Sequence, residues 1–400
     1  MDLKPVFENH LAQSTSFLPI QLEIETAEGI YLYDRQGKKY IDLISGVAVN
    51  NLGHRHPAIL EAIRIQSQKY LHLMVYGEFV QKETLLLAEK LASLLPPELS
   101  VSFFVNSGSE AIEGAIKTAR LYTKRNEVIS FQGSYHGSTL ATLNLLGDEI
   151  YKRPFRPLVP GFKLLKFNDT NSLAHITEKT SCVIMETIQT ASGMRVGELE
   201  FLIKVRNRCK ETGALLILDE IQTALGRTGQ MFSFETFRIK PDILCLAKSL
   251  GGGLPIGAFI ASNTIMNALK NGHPLLGHAT TFGGHPLSCA AALATLEVLI
   301  KENFISEIPE KEMLFRKLLQ HKLIRKIEGK GFLLSVDLGE EKICKHFVER
   351  AIPNGIVTYW FLFNIQSFSI IPPLTISLEE IKVACELILK TLDEVTLIHN

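Results

Sequence analysis

Two short, wholly apolar runs, each ending in a charge, constrain this chain more than any other feature. Leu215 to Leu218 lies between Gly213 and the carboxylates Asp219 and Glu220; Ile243 to Ala247 follows Pro241 and Asp242 and runs into Lys248 and three glycines. Apolar runs this short, with no polar alternation, read as strands buried on both faces of a parallel sheet. They present an acid and an amine at their C-terminal ends, the edge where open α/β sheets bind ligands.

One chemistry suits that pairing above others. A lysine at the mouth of an apolar strand loses hydration, which favours its free amine and lets it condense with a carbonyl. A carboxylate held opposite can keep a pyridinium nitrogen protonated, the task that pyridoxal phosphate sets its protein. These two residues alone leave a plainer alternative open, with Asp219 capping a helix and Lys248 a solvated strand end.

Composition narrows the partner. Acidic and basic residues balance at 42 each, and no basic run interleaves with aromatics, so nucleic acid is not an expected partner. No stretch approaches the roughly 18 apolar residues of a membrane span, and the N-terminal MDLKPVFENHLAQSTSFLP lacks the pattern of a signal peptide. The expectation is a cytoplasmic protein with small-molecule partners and no membrane association. Cys182, Cys209, Cys245, Cys289, Cys344 and Cys385 stand singly among apolar residues, as reduced core thiols do. His54 and His56 have no further ligand cluster beside them, so no metal site is expected.

Along the chain, Ile24 to Leu43 predicts a hairpin turning at Arg35, Gln36 and Gly37. A helix from Lys82 to Leu95 is stopped by Pro96 and Pro97. The strand Val101 to Val105 enters NSGSEAIEGAIKTAR, where Ser107 and Glu110 fit a capping box and Ala111, Ala115 and Ala119 form a close-packing face. Such a strand-to-helix entry through Gly108 and Ser109 aims backbone amides at one point and suits a phosphate. Capping without a ligand explains it equally well. Strands follow at Val128 to Phe131 and at Cys182 to Met185, the latter ended by Glu186. Tyr135, at the first strand's end, could stack on a planar ring or fill the core. The alternation from about 101 to 260 spells a mainly parallel α/β sheet. In HATTFGGHP, Thr280 and Thr281 could add a phosphate donor. Beyond Glu302 the amphipathic helices, a strand at Phe332 to Leu338 and a last helix at Leu378 to Leu397 predict a second, α+β domain.

Taken together, NSGSEA, YHG, LILDEIQTALGRTG, AKSLGGGLPIGA and TTFGGHP resemble the class III aminotransferases, which include acetylornithine, ornithine and 4-aminobutyrate aminotransferases. The resemblance implies pyridoxal phosphate fold type I. It implies an α/β large domain, residues 50–300, around a mainly parallel seven-stranded sheet, and a small domain from residues 1–49 and 301–400. Lys248 would bond the cofactor and shuttle the substrate proton, Asp219 would pair with the pyridine nitrogen, and Gln222 would bond the phenolic oxygen. Tyr135 would stack on the ring and His136 would join the cofactor site. Gly108 and Ser109 would hold the phosphate, joined by Thr281 from the other subunit of a homodimer with shared active sites. Thr280 and Ser138 would lie near the amine and oxo acid substrates. A ping-pong transaminase with an acetylornithine- or ornithine-like donor follows, the alternatives being decarboxylase or aminomutase chemistry on the same scaffold, or an ω-amine:monocarboxylic oxo acid aminotransferase that does not use 2-oxoglutarate.

The chain departs from the family at the substrate end. Ser138 and Ser369 stand where many members carry arginine, Ala191 where ornithine and acetylornithine types carry glutamate, Thr187 where proline is usual and His285 where asparagine is. A charge-assisted bond to a carboxylate contributes about 1.5–3 kcal/mol, so two lost arginines predict weak use of glutamate and 2-oxoglutarate. Arg55, Arg153 and Arg195 are the candidates for a substitute cation.

Overall fold

The computed structural model describes residues 3–399 apart from 13, 15–19, 76 and 272–276. Seven strands form the central sheet, in the spatial order Val101–Val105, Gly257–Ala261, Ile243–Leu246, Leu215–Asp219, Thr180–Met185, Glu127–Phe131, Phe162–Leu165. All run parallel except Gly257–Ala261, which is antiparallel to both neighbours. This is the mainly parallel α/β sheet that the alternation of strands and helices predicts, with the seven strands that the family resemblance implies.

Why the central strands lack polar alternation follows from what covers them. Leu216, Leu218, Leu244 and Leu246 point into one core, and Leu215, Ile217, Ile243 and Cys245 into the other. Helix Leu199–Thr212 covers the first face with Phe201, Leu202, Val205 and Cys209. Helix Gly108–Thr123 covers the second with Ala111, Ile112, Ala115, Ile116 and Ala119. Each large apolar side chain so buried contributes about 1.5–3 kcal/mol, and a polar residue on either face would forfeit it.

Both chain ends build smaller sheets. The predicted single hairpin is a three-stranded antiparallel ribbon, Ile24–Glu28, Tyr31–Asp34 and Lys39–Asp42, joined in parallel by Ile356–Val357. The extra turn falls at Gly29, whose φ of +56° glycine adopts without strain. Lys326–Lys330, Leu333–Asp337 and Ser367–Ile370 form a second antiparallel sheet, and helices Phe304–Leu318 and Glu341–Ala351 pack on the final helix Leu378–His399.

The capping box is redistributed. Ser107 Oγ accepts the Glu110 N–H at 3.2 Å, as expected, but the Glu110 carboxylate accepts the Asn106 N–H at 2.7 Å instead of that of Ser107. Among the described residues no helix is long and apolar enough to cross a membrane, and no group of three or more ligating side chains could hold a metal. His54 instead meets Asp42, Nε2 to Oδ2 at 2.8 Å. All six cysteines are free and buried.

Candidate active site

Parallel pairing brings the two strand ends together. Asp219 stands in register with Cys245, so the acid and Lys248 emerge at the same sheet edge. There they line a cleft of about 470 Å³ with Gly108, Ser109, Tyr135, His136 and Gln222. Ser138, Thr280 and Thr281 do not line it. Ser138 sits at its rim, its N–H donating to Ser109 Oγ at 3.3 Å and its hydroxyl 2.9 Å from the Tyr135 hydroxyl. Thr280 Oγ1 accepts a bond from Asn106 Nδ2 of its own chain at 2.7 Å.

Lys248 Nζ donates to Gln222 Oε1 at 2.7 Å. Loss of hydration pulls the amine below the ordinary lysine range, against the opposing pull of Asp219 and Glu186. Its backbone is in the left-handed region, φ +48°, ahead of Gly252 and Gly253, which are left-handed too. A residue with a side chain bears about 1–2 kcal/mol there, strain of the kind found where a side chain must be aimed.

Asp219 is buried and doubly held. Its Oδ1 accepts the Ile221 N–H at 3.0 Å, and its Oδ2 lies 2.7 Å from His136 Nδ1. The other nitrogen of His136, Nε2, lies 3.1 Å from Ser130 Oγ. Burial opposes a charge on His136, but the bond and charge of Asp219, with Glu186 behind, outweigh it and raise its pKa. Glu220, the neighbouring acid, turns away and accepts the Ser233 and Phe234 N–H groups at 2.7 and 2.6 Å. Burial pushes its carboxyl up to about 8.

Two residues without a role in the sequence reading complete the depth of the cleft. Glu186 accepts the Tyr135 and Thr190 N–H groups at 3.2 and 3.0 Å, and burial raises its pKa. The Thr190 hydroxyl reaches both Glu186 Oε2, at 3.0 Å, and Gln222 Oε1, at 3.2 Å. Only the charge ending a strand hinted at Glu186. At the opposite wall helix Gly108–Thr123 begins; Ser107 caps the Glu110 N–H, and the Gly108 and Ser109 N–H groups precede the first backbone bond of the helix, that of Ala111 to the Ser107 carbonyl. A Cβ on Gly108 would stand 2.7 Å from Ile221 Cδ1, so glycine keeps the approach open.

A second cavity of about 320 Å³ shares Tyr135, Thr190, Gln222 and Lys248 with the first and continues to Ala191 and Ser369. None of Arg55, Arg153 and Arg195 lines either cavity. Arg195 donates to the Phe167 carbonyl at 3.2 Å. Arg227 is fully buried and bonds the Pro372 carbonyl through Nη1; burial lowers its pKa to about 9, and it too lines neither cavity.

Comparison with known proteins agrees with this geometry. The family profile "Aminotransferase class-III" matches residues 12–392. The chain is 36% identical to the acetylornithine aminotransferase of Methanopyrus kandleri over 388 residues, 96% of this chain and 97% of that protein. It is 37% identical to that of Aquifex aeolicus over 379 residues, 93% of this chain and 96% of the other. The ornithine aminotransferase of Toxoplasma gondii, described with pyridoxal phosphate at its active site, superposes with a TM-score of 0.90 at 27% identity, covering 98% of this chain and 94% of that one. These matches support amino transfer and lend none to decarboxylase or aminomutase chemistry. The chain belongs to the class III aminotransferases, enzymes that move amino groups between small-molecule amines and oxo acids with pyridoxal phosphate.

Proposed function

We propose that this aminotransferase works on substrates lacking a second carboxylate, with Lys248, Asp219, Gln222, Tyr135, His136, Gly108 and Ser109 as its cofactor machinery. The residues present fit the group: a dehydrated amine, a buried acid backed by an imidazole, and a helix N-terminus opening on one cleft. Bound there, pyridoxal phosphate supplies a carbonyl for an amine and an electron sink for the carbon that loses its proton.

The protein's own groups do the rest. Lys248 Nζ, whose amine form is favoured by loss of hydration, would hold the cofactor's carbonyl carbon and, when free of it, would carry the proton between the substrate carbon and the cofactor. Asp219 Oδ2, bonded to His136 Nδ1 in the buried depth of the cleft, would stabilise a positive ring nitrogen. The Gly108 and Ser109 amides hold phosphate at the positive helix end. Tyr135 would cover a ring face, and Gln222, which accepts from Lys248 Nζ, would orient the phenolic oxygen as well.

One observation carries the substrate reading: Ala191 and Ser369 line a cavity in which Lys248 is, among the described residues, the sole acidic or basic side chain. Two absent charge-assisted bonds remove about 3–6 kcal/mol of carboxylate binding. In single-turnover titrations of the enzyme's visible band, uncharged and monocarboxylate ω-amines should discharge it about 10²–10⁴ times more efficiently than glutamate. Rapid discharge by glutamate and recovery with 2-oxoglutarate would defeat this reading. N-acetylornithine as the preferred donor would favour the activity named for the Methanopyrus and Aquifex relatives.

We further propose a homodimer in which Thr280 and Thr281 serve the partner's site. Its support is a set of exposed apolar side chains, Leu71 59%, Phe79 54%, Val80 90% and Phe282 52% exposed, in segments tied to the 277–286 loop by the His72–Phe282 ring contact and the Thr84 bond to the Gly284 carbonyl. Sedimentation should give twice the 44.6 kDa chain mass; an active monomer would exclude the shared site. The division into residues 50–300 and the two flanking segments is proposed with it. Free buried cysteines support a cytoplasmic location.

A further inference from the structure

The second cavity is built by a strap that neither strand periodicity nor a motif announced. Residues 358–363 are tied to strand Ser367–Ile370 on one side: the Ser369 N–H donates to the Tyr359 carbonyl at 2.9 Å, Thr358 Oγ1 donates to the Ser369 carbonyl at 2.6 Å, and Trp360 bridges Phe368. On the other side the Phe363 N–H donates to the Ala191 carbonyl at 2.9 Å. The Tyr359 and Trp360 rings stack, centroids 4.1 Å apart at 23°. The aromatic wall is therefore held from both ends.

Ile44, Val47, Met194, Phe361, Leu362 and Ile371 complete the wall, and among the described residues no acid lines it. At the mouth Val47, Tyr135 and Leu362 remain 51%, 39% and 38% exposed, apolar surface that a bound tail would cover. An isolated ion on this wall would lose its hydration without gaining a partner, whereas each methylene placed there is favoured.

We infer that this cavity receives an uncharged aliphatic or aryl tail of the substrate amine and its carbonyl counterpart, and that Trp360 is the specificity-determining residue. The inference rests on the transaminase reading of the neighbouring cleft. In the exchange R–CH₂–NH₂ + O=CR′₂ → R–CHO + H₂N–CHR′₂, the group R occupies the cavity while the reacting carbon lies at Lys248.

Trp360 is the chain's one tryptophan, so its emission reports on this wall. The holoenzyme is titrated with 3-phenylpropionate and with glutarate, neither of which has an amine to react. Saturable perturbation of the emission by 3-phenylpropionate at a concentration at least tenfold below that for glutarate is expected, with affinity rising about fourfold per methylene along straight-chain monocarboxylates until the cavity is full. Equal affinity for glutarate, or no response to either, overturns the inference. Independently, Trp360→Ala should slow band discharge by 3-phenylpropylamine at least about tenfold more than discharge by propylamine, through the concentration for half-maximal rate more than through the limiting rate, and Trp360→Phe should restore most of the difference. An equal loss for both amines overturns it as well. If no amine discharges the band of the native enzyme while 3-phenylpropionate still perturbs Trp360, the transaminase reading fails and the tail site stands.

Discussion

Lys248→Ala is expected to abolish the visible band that depends on the lysine–cofactor bond and to lower the single-turnover rate with any amine at least about 10³-fold. The lysine is both the covalent anchor and the proton carrier, and positioned acid–base groups alone contribute about 10²–10⁴-fold. Lys248 is left-handed, at φ +48°, so Lys248→Gly should be equally inactive yet more stable to denaturant than the alanine variant by about 1 kcal/mol. Equal stability of the two would mean that the strained backbone relaxes when the side chain is gone. Dehydration lowers the Lys248 pKa, and the reactive amine is the form without its proton. The rate at which cofactor-free native protein captures pyridoxal phosphate should therefore rise with pH to a midpoint below the ordinary lysine value of about 10.4. Retention of more than a tenth of native activity by Lys248→Ala would remove the lysine from the chemistry.

Asp219→Asn is expected to lower kcat by about 10²–10³-fold while leaving the fold intact. The amide can still accept the Ile221 N–H, so the loop geometry survives, but the buried negative charge disappears. Removing one partner of a buried ion pair costs about 3–5 kcal/mol when the other stays charged. Loss of Asp219 removes the main cause that raises the His136 pKa against burial, so the neutral imidazole becomes more favoured and much of that cost is avoided. The loss should thus appear in kcat and in the position of the visible band more than in the unfolding midpoint. A kcat within tenfold of the native value would sink the proposed role of Asp219, and a collapsed fold would make it a structural residue instead.

Much of the site was legible because its parts are local. An apolar run ended by a charge is a strand end whatever surrounds it, so Asp219 and Lys248 could be read directly, and Gly108 and Ser109 followed from a strand entering a helix. The physical reason that Asp219 and not Glu220 serves the cleft lay outside those local signals. Asp219 faces the cleft and Glu220 faces the Ser233 and Phe234 amides only because the chain bends back over Glu220 after the strand. That Arg55, Arg153 and Arg195 line neither cavity of their own chain likewise needed three-dimensional positions, since a loop arginine in sequence can point anywhere.

By itself the sequence determined an α/β chain with an amine and an acid at one sheet edge, because strand burial and hydration are properties of a few consecutive residues. The tertiary structure alone decided what that edge can hold. The tail cavity joins Ile44, Ala191, Lys248 and Trp360 from four distant segments, and their closeness depends on how the smaller sheets settle against the large one. Packing of that kind leaves no periodicity in any single stretch of chain, so an unaccompanied tryptophan in the sequence becomes a wall of the site only in the fold.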